Sequence, residues 1–141
     1  MTVVKFQIAT RRSGEYRTIS VIVYDDLGQM RRDATRWGKL YSANPNGYFD
    51  QALGVAHRWN GTKRTSAGII RLWRGALGAG LIAHEVTHLA IGIYQHDCNK
   101  DLFEIENEEI LCHLIGELNA KLCAALWKRK FYEKEGNEHG E

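Results

Sequence analysis

Residues 77–95, LGAGLIAHEVTHLAIGIYQ, decide how the rest of the chain is read. The stretch has no Pro, Lys, Arg or Asp, and its three His and Glu residues all fall inside His84-Glu85-Val86-Thr87-His88. Apolar residues surround the axis on every side, which predicts a buried helix and not an amphipathic surface one. On a helix, residues four apart lie about 40° apart around the axis, so His84 and His88 project from one face, where two imidazoles can take two corners of a tetrahedral Zn²⁺ site. Glu85 is turned about 100° away from His84. That offset keeps its carboxylate off the metal and within reach of a water molecule there, the position of a general base. A buried ionised Glu is costly without compensation, and a nearby cation supplies it. The competing interpretation is a core helix with two neutral histidines and a protonated or paired Glu85.

A chain of 141 residues, 44% hydrophobic and 26% charged, suits a single globular domain. We expect that domain over residues 1–132, with 133–141 as a polar, mobile tail. The N-terminus alternates Val4, Phe6 and Ile8 with polar residues and lacks the apolar core of a signal peptide, and no apolar run reaches the length of a membrane span. Three cysteines, Cys98, Cys112 and Cys123, form an odd set without a close pairing motif, which favours reduced thiols and a cytoplasmic location.

The net charge of +2 hides an asymmetry. Residues 1–74 carry 13 Lys/Arg against 5 Asp/Glu, a balance of +8, and residues 75–141 carry 6 against 12, a balance of −6. The basic residues, among them Arg11, Arg12, Arg31, Arg32, Arg36, Lys63 and Arg64, are spread over several elements, so nucleic acid is a secondary expectation as partner.

Taken in order, residues 3–9 and 17–24 alternate as half-buried strands, with a hairpin turn at Ser13-Gly14-Glu15. Asp25 or Asp26 offers an N-cap to a helix whose apolar positions are Leu27, Met30, Ala34, Trp37 and Tyr41, with Arg31, Arg32, Arg36 and Lys39 on a solvated face. Asn44-Pro45-Asn46-Gly47 reads as a turn. Leu53, Val55, His57 and Trp59 alternate with Ala52, Gly54 and Ala56 up to a tight turn at Asn60-Gly61, and AGIIRLW at 67–73 forms the next strand. His57 reads as a packed or surface histidine beside any cleft. After the motif helix, residues 96–100 break the apolar pattern as a loop, and a long helix runs from about 105 to 131. The expected fold class is α+β: a small antiparallel or mixed sheet, a buried HExxH helix and a long C-terminal helix.

A catalytic zinc usually has three protein ligands and one open position for water, which directs attention to a further His, Asp or Glu. The pattern HExxHxxGxxH fails, because positions 91 and 94 are Ile91 and Tyr94, and Met1 and Met30 both precede the motif. The remaining donors are Glu108, Glu109 and His113 on the last helix. A helical wheel sets Glu108 beside the large apolar stripe of Leu111, Ile115 and Leu122. Glu109 falls on a narrow face of Ile105, Cys112, Gly116, Ala120 and Cys123, where small residues allow close helix approach. The wheel therefore favours Glu109 as ligand, with His113 or Glu108 as alternative ligands or supporting partners.

HEVTH followed by Glu109 on a later helix resembles the gluzincin arrangement. It is similar to minimal zincin domains of the ImmA/IrrE type and to small phage-encoded HExxH proteins. The likeness covers residues 50–123 and implies a zincin-like fold in which His84, His88 and Glu109 bind Zn²⁺ and Glu85 is the base. The position four residues after the ligand, often Asp in gluzincins, is His113, and Ile110-Leu111 replaces the Ala-Asn pair of the ImmA type. The function so implied is a zinc metallopeptidase that cleaves protein or peptide substrates with a zinc-activated water. Tyr48, Tyr94 and His113 are the candidates for stabilising the oxyanion. The alternative is a non-catalytic, zinc-stabilised module that binds nucleic acid or a regulatory protein through its basic N-terminal half.

Overall fold

The computed structural model describes residues 2–41, 49–58, 65–98 and 104–132. The architecture is α+β: a four-stranded mixed sheet with helices on both faces. Strands β1 (Val3–Thr10) and β2 (Arg17–Tyr24) form the expected antiparallel hairpin. Gly14 sits at its turn with φ 96° and donates its N–H to the Arg11 carbonyl at 3.0 Å, a backbone geometry that favours glycine. Helix α1 (Leu27–Tyr41) begins where Asp26 Oδ2 accepts the Gln29 backbone N–H at 3.0 Å, which makes Asp26 the N-cap. A short 3₁₀ turn (Phe49–Gln51) leads into β3 (Gly54–Arg58), then come β4 (Ser66–Trp73), α2 (Ala79–Asp97) and α3 (Ile105–Lys128). The sheet order is β1-β2-β4-β3. β2 and β4 run parallel because α1 carries the chain across one face between them, whereas β3 pairs antiparallel with β4 at the sheet's end.

Strand alternation distributes the side chains between two cores. Ile19, Val21 and Val23 of β2 and Ile70 and Leu72 of β4 point to the face covered by α2 and α3. There they meet Ile82, Val86, Leu89 and Ile93 of α2 and Leu114, Leu118, Leu122 and Leu126 of α3. The opposite face packs Tyr24 and Val55 against Met30 and Ala34 of α1. Gly68 in β4 adopts φ 154° beside a register shift against β2, and a Cβ there would stand 2.0 Å from the His57 carbonyl oxygen. Only glycine lets β3 and β4 come this close.

An expectation changes here. α2 continues through His96 and Asp97, where a loop was expected, because Asp97 is tied to the first hairpin. Its carboxylate accepts from Arg17 Nη2 at 2.6 Å and from Ser13 Oγ, and these bonds hold its pKa down to about 2 against the pull of burial. By length and composition α3 is apolar enough to cross a bilayer. Core helices of globular proteins share this composition, and the leucine stripe of α3 packs into the core. The turns expected at 44–47 and 60–61, Trp59, Lys63, Arg64 and the tail at 133–141 lie outside the described residues.

Candidate metal centre

The motif helix buries Ile82, Glu85, Val86, Leu89, Ala90, Ile93 and Tyr94, while His84 and His88 stay exposed. The two imidazoles meet at their Nε2 atoms, 3.3 Å apart, with ring planes inclined at 78°. Two nitrogens bound to one tetrahedral zinc at 2.0–2.1 Å stand about 3.3–3.4 Å apart, so the pair already has the spacing of two zinc ligands. The same separation allows one ring to donate a hydrogen bond to the other when their tautomers are complementary. One ligand atom from each of His84, Glu85 and His88 falls within 4.8 Å of the other two.

Glu85 points away from solvent, against the edge strand. A Cβ built on Gly54 of β3 would lie 3.3 Å from Glu85 Cγ and 3.4 Å from its Oε2, so the absence of a side chain at 54 makes room for the carboxylate. Glu85 is 5% exposed, and this desolvation raises its pKa, with His84 pulling the other way. His88 is shifted down by desolvation first, then by His84 and Arg58, which favours the neutral imidazole that a metal requires.

Arg58, at the end of β3, was not singled out by sequence reasoning. A Cβ on Gly92 would be 2.7 Å from Arg58 Cδ, so the arginine stem crosses α2 at the bare position one turn beyond His88. The signal for this was a glycine four residues after the second histidine, on the same helical stripe.

The chain matches no family model, no curated protein and no solved structure.

The residues expected to complete the site are elsewhere. α3 buries Asn107, Leu114, Leu118, Leu122 and Leu126, while Cys112, Gly116 and Ala120 are exposed. The leucine stripe, not the narrow small-residue face, therefore packs inward, because it removes far more apolar surface from water. Glu108 is exposed, and Glu109 and His113 pair with each other at 3.6 Å, each 63% exposed. None of the three joins the group formed by His84, Glu85 and His88, and no other donor among the described residues does so. Glu109, favoured by the wheel as third ligand, thus stands apart from that group in this structure. Of the oxyanion candidates, Tyr94 is buried in the core, His113 faces solvent and Tyr48 lies outside the described residues. His57 is buried on the α1 side of the sheet and takes no part.

Proposed function

We propose that the protein is a zinc-dependent hydrolase of the zincin type, acting on peptide bonds. One observation carries this reading: two Nε2 atoms at zinc-ligand spacing beside a buried carboxylate that points toward an edge strand. His84 and His88 would hold the ion, and two neutral imidazoles suit its preferences. When bound, the zinc supplies Lewis acidity, which acidifies water and polarises a carbonyl.

The remaining work falls to the chain's own groups. Glu85, desolvated and therefore more basic than an ordinary carboxylate, would accept the proton of the attacking water and return it to the leaving amine. β3 ends the sheet, so an extended peptide has an outer edge on which to add as a further strand. Gly54 of that strand abuts Glu85, which brings such a peptide's backbone to the base. Arg58 at the end of the same strand would add a cation beside His88.

Elemental analysis of protein expressed with zinc, followed by proteomic comparison of a host lysate incubated with wild type and with Glu85→Gln, tests this reading. The expected result is about one zinc per chain in both proteins, with cleavage products only for wild type. Protein that stays free of metal, or equal cleavage by Glu85→Gln, would refute it.

A further inference from the structure

On the far side of the sheet from His84 and His88, α1 and the 3₁₀ turn form a cavity of about 500 Å³, broadly open to solvent and lined by Arg31, Arg32, Thr35, Arg36, Lys39 and Asp50. Its size lies within the range of small-molecule sites, about 300–1,000 Å³. Four cations and one carboxylate give the lining a balance of +3. All four cations come from one helix face, and Arg32, Arg36 and Lys39 follow one another at intervals of four and three residues, about 6 and 4.5 Å along the axis.

The cavity is built by packing. A Cβ on Gly38 would be 2.9 Å from Phe49 Cε2, so this glycine admits the Phe49 ring against α1 and holds the 3₁₀ turn close. Asp50 thereby becomes one wall. Arg31 is tied down as well, its Nε donating to the Ala52 carbonyl at 2.9 Å. Arg32 leans on Gln29 Oε1 at 3.1 Å.

We propose that this cavity binds a phosphorylated sugar, the shared chemistry of a nucleotide and of an RNA strand. The cations take the phosphate oxygens, which guanidinium groups accept bidentately. Asp50 marks the sugar: a carboxylate repels bare phosphate but accepts a hydrogen bond from a ribose hydroxyl. The site is independent of zinc and of any hydrolytic activity.

Titration calorimetry at low salt with ATP, a single-stranded RNA decamer and inorganic tripolyphosphate tests the assignment. ATP or the decamer should bind saturably, one per cavity, with affinity that falls as salt rises, and the tighter of the two names the source. Arg36→Gln with Lys39→Gln, both at exposed positions, should weaken binding at least about tenfold at unchanged melting temperature, and Arg36→Lys should restore part of it. Lys128→Gln with Lys130→Gln removes the same charge at the end of α3 and in the turn just beyond it, and should leave affinity within about twofold. Asp50→Ala should narrow the preference for ATP over tripolyphosphate. Three results would overturn the proposal: no binding by any probe, equal weakening in both double variants, or tripolyphosphate binding as tightly as ATP.

Discussion

On the α1 side of the sheet His57 is 5% exposed, stacked near Trp37 with ring centroids 4.3 Å apart, and its Nε2 accepts from Arg71 Nε at 3.1 Å. On the α2 side His84 and His88 stand at the surface with their Nε2 atoms 3.3 Å from each other. Three imidazoles thus meet opposite fates within one small sheet. The buried one has its acceptor used, and burial beside Arg71 lowers its pKa to about 4, so it is neutral and committed. The exposed pair turns its Nε2 atoms toward each other at the surface. The faces differ in the same sense: α2 and α3 build an apolar core, while under α1 Arg71 Nη1 donates to the Tyr24 hydroxyl at 2.6 Å and Tyr24 donates to Asp33 at 3.0 Å. A histidine's role here is set by its burial and by the partner of its Nε2.

The comparison breaks most visibly if the apolar side is not the chief source of stability. Leu118 is fully buried between α3 and the sheet, so Leu118→Ala should cost about 4 kcal/mol in urea denaturation, from lost transfer energy and the cavity left behind. A cost below about 1 kcal/mol would mean that α3 packs loosely.

Next in size is the pH dependence contributed by His57. Its folded pKa, about 4, lies below the ordinary 6.5, so the unfolded chain takes up the proton first as pH falls. Stability from this group is complete above pH 6.5 and is lost as pH drops toward 4, about 3 kcal/mol in all. The difference in unfolding free energy between wild type and His57→Gln, measured from pH 4 to 8, should show this slope. Asp97 behaves separately: its folded pKa is depressed, so its contribution is present above the ordinary 3.8 and fades only as pH falls toward 2. A flat difference curve would show that His57 is not buried as described.

The surface pair is sharpened by zinc titration at neutral pH. His88→Ala should weaken zinc binding by at least about 100-fold, equivalent to about 2.7 kcal/mol, because one imidazole and water cannot replace two converging ligands. The smallest effect belongs to Glu109→Ala, which should change zinc affinity by less than about threefold, since Glu109 is 63% exposed and paired with His113. A large loss in Glu109→Ala would restore it as the third ligand and would require α3 to rotate about its axis.

Much of this molecule was legible along the chain, and the reason is locality. Period-two alternation located β1, β2 and β3, and the N-cap at Asp26, the hairpin turn at Gly14 and the helical spacing of α1 each depend on residues close in sequence. The convergence of His84 and His88 belongs to the same class, because four-residue spacing on a helix fixes it wherever the helix docks. The third ligand is a question of a different kind. α3 carries both a leucine stripe and a small-residue stripe, and a helical wheel describes both without saying which turns inward.

What the sequence alone determined is therefore the set of elements and the short-range juxtapositions within them: one helix bearing two imidazoles on one face and a carboxylate beside them. The tertiary structure decided everything that depends on docking. It placed β4 parallel to β2, sent His57 to the opposite face from His84 and His88, set Glu85 against Gly54, laid Arg58 across Gly92, and left Glu109 in solvent. The physical reason is that backbone periodicity acts over a few residues, whereas the choice of buried face follows from the apolar area that distant elements can remove from water together.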